Sequence, residues 1–411
     1  MIIKSKINGY SLVSPISVVL ITIFIMFLST FENPMNWTAN YSWSGELDYT
    51  VLICYVLFVI LGIFLGSVFN RNRYNDSNEV FFDLKINTVF LMFGVACFFQ
   101  FAKFVNIGDI PLLGDPSSRY KLTLGGFEDY PSRLLAPLSA AMFLLYLSNK
   151  KNIYLCCVLI GFFANLMLLQ RQEILNLVLS CLIIYFFTKT VNLSKIVTLG
   201  LACFVSLYLL IGVGAILRFG ADNMLSNSNI FLLPLYVLHA DMTTAIIFGQ
   251  SVSETLGDRT LNGAYAFGSY ISIFIPGYTD HGAELIRKEF TNSTTAQSLG
   301  IPFAYFVDFG YSSLIILAFT KGFVLQYFYN KAISDKKLSN ILFYIIIYLN
   351  ALWALRAGTI IVTPICLYLG LFIVVAKQSE NLKNTIMLND VIKIMFIFSL
   401  IISLTALIIR I

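Results

Sequence analysis

Thr50-Val51-Leu52-Ile53-Cys54-Tyr55-Val56-Leu57-Phe58-Val59-Ile60-Leu61-Gly62-Ile63-Phe64-Leu65-Gly66-Ser67-Val68-Phe69 holds no charged residue. At 1.5 Å per residue a helix of about 20 residues crosses the roughly 30 Å hydrocarbon core of a bilayer, so this stretch is a membrane span. Comparable apolar runs cover residues 12–30, 86–105, 133–148, 153–169, 173–188, 195–217, 302–329, 341–355, 358–376 and 391–409. Hydrophobic residues make up 58% of the 411 and charged residues 12%. Soluble domains carry about 45–50% and about 25%. A soluble enzyme, a disordered chain and a disulfide-built secreted domain are therefore excluded. The expectation is an all-α polytopic membrane protein, one integral membrane domain over residues 1–411 with about eleven spans (range about ten to thirteen).

The net charge of +5 comes without any basic stripe, so no nucleic-acid partner is expected. The seven cysteines, Cys54, Cys97, Cys156, Cys157, Cys181, Cys203 and Cys366, all lie in apolar runs without a metal-binding spacing and read as small packing residues. Lys4 and Lys6 precede the first run and no small-residue cleavage site follows it, which predicts a retained first span with the N-terminus inside. Because lysine and arginine concentrate in cytoplasmic loops, the same alternation puts Lys150, Lys151, Lys189, Lys195, Lys331, Lys336, Lys337, Lys377 and Lys383 inside. Residues 107–133 form an outer loop. Residues 219–301 form a large outer segment, whose apolar stretches 230–248 and 265–275 are expected to be interfacial or re-entrant, with a crossing hairpin as the alternative. Charges inside the spans read as nearly absent.

Arginine is distributed against that rule. Arg119, Arg133, Arg171, Arg218, Arg259, Arg287 and Arg356 all fall on the outer side. Arg133 and Arg259 read as snorkelling or locally paired residues. Arg171 in Leu168-Leu169-Gln170-Arg171-Gln172-Glu173, Arg218 after Gly214-Ala215-Ile216-Leu217, and Arg356 in Trp353-Ala354-Leu355-Arg356-Ala357-Gly358 instead sit at apolar helix ends. An unpaired guanidinium there is costly, and its planar fork suits a phosphate ligand, so these three are candidate diphosphate contacts, with Arg119 and Arg287 added from the outer loops. The Gly- and Pro-punctuated stretch from Ile107 to Tyr120 reads as a built loop that could deliver Arg119.

The histidines His239 and His281 both lie in the outer segment. His281 stands with Asp280, Glu284 and Arg287 in one turn-rich stretch, which has the contents of a general base, so Asp280, His281 and Glu284 are the catalytic candidates. His239 and Asp241 are candidate substrate contacts. No HExxH, GxSxG or Walker pattern is present, so no metal site is expected and hydrolase and nucleotide-driven pump readings lack support.

The Ile110-Pro111-Leu112-Leu113 loop followed by Arg119, the span-end Arg171 and Arg218, and the helix running from Gly300-Ile301-Pro302 through Asp308-Phe309-Gly310-Tyr311 resemble Wzy-type O-antigen polymerases from about residue 86 onward. The resemblance implies a glycosyltransferase-C-like helical bundle in the bacterial inner membrane, N-terminus cytoplasmic and active site facing the periplasm. It also implies a metal-independent glycosyltransferase reaction without a cofactor. Donor and acceptor would be oligosaccharide repeat units on undecaprenyl diphosphate, with membrane lipids around them and a chain-length regulator protein as a further partner. An O-antigen ligase and a lipid-linked oligosaccharide flippase are the rivals. The flippase should show two similar halves and ionisable residues at mid-membrane, whereas here span-interior charges read as nearly absent and the large outer segment interrupts the bundle.

Overall fold

The computed structural model describes residues 6–31, 48–69, 80–115, 118, 131–192, 194–202, 205, 208–209, 212, 232–265, 286, 299–357 and 364–377. Within them the chain folds into helices α1 Pro15–Leu28, α2 Tyr49–Phe69, α3 Ile86–Ile107, α4 Leu135–Asn149, α5 Asn152–Met167, α6 Arg171–Thr188, α7 Leu233–Leu256, α8 Phe303–Phe309, α9 Tyr311–Asp335, α10 Leu338–Ala357 and α11 Pro364–Ala376. Two three-residue strands, β1 Lys6–Asn8 and β2 Thr190–Asn192, pair antiparallel with Ile7 opposite Val191. Five of the helices are long and apolar enough to cross a membrane (α2, α3, α6, α9 and α10), and α1, α5 and α11 are shorter apolar helices. The protein is an all-α polytopic membrane protein. Hydrocarbon offers backbone groups no water, so every such helix must satisfy its own N–H and C=O groups.

The tightest junction joins α2 to α9. A Cβ on Gly322 would lie 2.0 Å from the Val59 carbonyl oxygen, and one on Gly62 would lie 2.1 Å from that of Phe319. One turn on, Gly66 sits against Gln326, and the Asn330 side chain donates to the Gly66 carbonyl at 3.3 Å. Residue numbers rise together along this contact, so the two helices run parallel. Small residues permit such backbone approach between helices in a membrane, where van der Waals contact replaces the hydrophobic effect as the driving force.

Where one apolar run covers residues 302–329, the structure breaks it into α8 and α9 at Gly310, whose backbone (φ 63°, ψ −144°) suits only glycine. In the middle of α9, Lys321 is fully buried. Its Nζ donates to the Ala351 carbonyl of α10 at 3.0 Å and lies 5.5 Å from the centre of the Tyr55 ring. Lys103 on α3 is buried as well. Ionisable side chains inside the bundle are thus present, against the sequence expectation, and a carbonyl and an aromatic face replace part of the water that Lys321 lost.

The two ends of the bundle differ. Phe81 N–H donates to the Lys336 carbonyl at 2.8 Å, Lys85 N–H to the Ala376 carbonyl at 2.7 Å, and buried Asp83 accepts from Ser339 N–H at 3.0 Å. These contacts gather Lys85, Lys336, Lys337 and Lys377 at one end, and the alternation of α4, α5 and α6 places Lys150, Lys151 and Lys189 there too. Arg133, Arg171 and Arg356 lie at the other end.

Gly322→Ala should drive the α2 and α9 backbones apart, because the new methyl meets a carbonyl that cannot yield. Overpacking of this kind costs about 1–3 kcal/mol or more. Gly94→Ala, with nothing within 4 Å of the added carbon, is the control and should be neutral or slightly stabilising. Apparent unfolding temperature in detergent reads both.

Candidate active site at the arginine end

Arg171 is presented by a three-residue turn. Helix α5 ends at Met167, Leu169 adopts a left-handed backbone (φ 52°), and Arg171 opens α6. A non-glycine residue holds that conformation only where its surroundings impose it. Here they do. Gln170 N–H donates to the Asn165 carbonyl at 3.2 Å, and buried Gln100 of α3 donates from Nε2 to Asn165 Oδ1 at 2.7 Å and to Gln170 Oε1 at 3.1 Å. Asn165 Nδ2 in turn donates to the Gly161 carbonyl at 3.0 Å. Buried Lys103 stands one turn beyond Gln100 on α3. Arg171 itself is half-buried, with Nη1 below the surface.

As far as Asp115, the loop after α3 is held by its own hydrogen bonds. Gly108 closes α3 in the left-handed conformation, with φ 70°. Asp109 accepts from Asp115 N–H at 2.9 Å and from Ile110 N–H at 2.7 Å, and these donors hold its carboxyl below the usual carboxylate range. Leu112 N–H donates to the Met167 carbonyl at 3.1 Å, tying the loop to the turn that carries Arg171.

Helices α6 and α10 meet through a polar chain. Trp353 Nε1–H donates to Asn176 Oδ1, Asn176 Nδ2 donates to Glu173 Oε2 at 3.3 Å, and Arg133 Nε lies 3.9 Å from Glu173 Oε1. Arg171 stands five residues from Asn176 and Arg356 three from Trp353, so each rises roughly 5–8 Å beyond the shared bond. Both arginines therefore top neighbouring helices at one end of the bundle. Arg356 is exposed there.

Helix α7 touches the same end. His239 Nε2 lies 2.9 Å from the Leu28 carbonyl at the end of α1, and the Asp48 N–H before α2 donates to Gln250 at 2.9 Å. Gly300 N–H donates to the Ala245 carbonyl at 2.7 Å. That bond to Leu28 gives His239 a helix-ending role, since the last carbonyls of α1 lack intrahelical donors. Asp241 lies on α7, and its side chain is outside the described residues, as are Arg119, Arg218, Asp280, His281, Glu284 and Arg287. Among the described residues, Arg171 and Arg356 are thus the predicted diphosphate contacts that lie at one end of neighbouring helices. Gln100, Lys103, Glu173 and Asn176 join them. A polar residue every three or four positions in otherwise apolar runs, as Gln100 and Lys103 make in α3, was the available signal for the first two.

Against known families, residues 11–368 match the family model described as "Putative O-antigen polymerase". The chain belongs to the O-antigen polymerase family. It is therefore a membrane-embedded polymerase of glycosyltransferase type in surface-polysaccharide synthesis, and the family implies lipid-linked oligosaccharides as substrates. No curated protein and no solved structure matches the chain.

Gln100→Leu should leave Asn165 Oδ1 and Gln170 Oε1 without their buried donor, a loss of about 1–3 kcal/mol. The expected readouts are a lower unfolding temperature in detergent and reduced polymer from equal amounts of protein. Unchanged stability and activity would mean the amide cluster does not hold the Arg171 turn.

Proposed function

We propose that the arginine end faces the periplasm of the bacterial inner membrane and polymerises repeat units carried on undecaprenyl diphosphate. Residues 107–133 and 219–301 then lie on that side, and the lysine end, with the N-terminus, faces the cytoplasm. The donor is a growing glycan on its lipid diphosphate, and the acceptor is one repeat unit on a second such lipid. A hydroxyl at the non-reducing end of the acceptor attacks the donor anomeric carbon, the bond from that carbon to phosphate breaks, and undecaprenyl diphosphate leaves with the electron pair.

The observation that carries this reading is the placement of Arg171 and Arg356 on adjacent helices joined by Trp353 and Asn176. Charge grows on the leaving diphosphate in the transition state, and fixed guanidinium forks stabilise it where it develops. Arg119, Arg218 and Arg287 complete the set of diphosphate contacts, and no metal is required for the charge balance. A chain-length regulator would act on the same face.

Deleting the protein should leave surface lipid carrying a single repeat unit while the ladder of longer chains disappears, since flipping and ligation remain. A deletion strain with no single-unit product would instead identify a flippase or a ligase. Arg171→Lys and Arg356→Lys keep charge but lose the fork, so long chains should be depleted at unchanged protein abundance. The alanine variants should lose more, about 2–5 kcal/mol of transition-state stabilisation each. Arg259→Lys, at an exposed position beyond α7, should give a wild-type ladder. Wild-type ladders from both Arg171→Lys and Arg356→Lys would return these residues to headgroup contact.

A further inference from the structure

The reaction needs a group that takes the proton of the acceptor hydroxyl, and we infer that Glu173 is that general base. The inference rests on the diphosphate reading of Arg171 and Arg356. Glu173 stands two residues after Arg171 in the first turn of α6, with a side chain 14% exposed, so it is sheltered yet still reachable.

Its ordinary structural duty is already discharged by other groups. A glutamate at the third position of a helix commonly reaches back to the N-cap backbone N–H. Here the N-cap is Gln170, and its N–H is held by the Asn165 carbonyl at 3.2 Å. The carboxylate is turned elsewhere. Oε2 accepts from Asn176 Nδ2 at 3.3 Å, and Oε1 lies 3.9 Å from Arg133 Nε, longer than a hydrogen bond.

The orientation of Asn176 is set in turn by Trp353. Because Oδ1 accepts the indole N–H, the amide must present its NH2 group to Glu173. A sheltered carboxylate held by an oriented partner, two residues after Arg171, has the features of a general base. In the step itself the hydroxyl oxygen bonds to the donor anomeric carbon and the bond from that carbon to phosphate breaks. The electron pair goes to the diphosphate, and the hydroxyl proton passes to Glu173, which later releases it to water. Trp353 and Asn176 are positioning residues for that carboxylate.

The test uses full-length protein in lipid nanodiscs, with lipid-linked repeat units extracted from the deletion strain as substrate and undecaprenyl diphosphate as the binding probe. Glu173→Gln keeps the size and the contact with Asn176 but cannot accept the proton. Polymer formation should fall about 100-fold or more while undecaprenyl diphosphate binds as in wild type. Glu173→Asp restores a carboxylate and should recover part of the rate. Arg133→Ala removes the ion pair and should stay within about fivefold of wild type. The inference is overturned if Glu173→Gln polymerises normally, if Glu173→Asp is no better than Glu173→Gln, or if Arg133→Ala is as inactive as Glu173→Gln. Normal turnover by Glu173→Gln would move the role to Asp280, His281 or Glu284. A wild-type protein that binds the probe but makes no polymer would count against the polymerase reading itself, not against Glu173 alone.

Discussion

Gly322 against the Val59 carbonyl sets the distance on which the rest of the bundle depends. With two parallel helices in near backbone contact, α9 is placed so that Lys321 reaches across to the Ala351 carbonyl of α10. That bond sits less than one turn before Trp353. Trp353 joins α10 to Asn176 of α6, and the outer turns of these two helices carry Arg356 and Arg171. A chain of short-range contacts thus runs from a glycine in the middle of α9 to the polar end. Lipid cannot drive helices together by the hydrophobic effect, so close packing and buried polar bonds must supply the geometry.

Polar groups at the arginine end divide into two kinds. Gln100, Asn165 and Gln170 satisfy one another and the backbone, which rigidifies the turn between α5 and α6. Their cost of burial is offset only while the set is complete. Glu173, Arg171 and Arg356 instead keep part of their surface open. Satisfied amides beneath and partly open charges above suit a site that must hold its own shape and still receive a charged lipid headgroup.

Much of the fold was legible beforehand. The run from Thr50 to Phe69 became α2 with scarcely a change of boundary, and the apolar runs after Asn152 and before Thr188 became α5 and α6. The break at Gly310 is not legible in the sequence, because a glycine within an apolar run can equally continue a helix. The surroundings of Lys103 and Lys321 are hidden from the sequence for a different reason. A single lysine in an apolar run does not reveal whether a carbonyl, a ring or water will meet it.

Apolar run length and the sorting of lysine from arginine were enough to establish a polytopic helical membrane protein with a cationic end unlike its lysine-rich end. These are local properties, since each span must satisfy its own backbone in hydrocarbon whatever its neighbours are. Which helices touch is not a local property. That α2 runs beside α9, that α6 meets α10, and that Glu173 faces Asn176 and not its own N-cap were decided by packing between residues as far apart as 176 and 353. Side-chain shape and the pairing of buried polar atoms select among the many arrangements that the same spans could adopt, and only in the assembled bundle do those constraints act together.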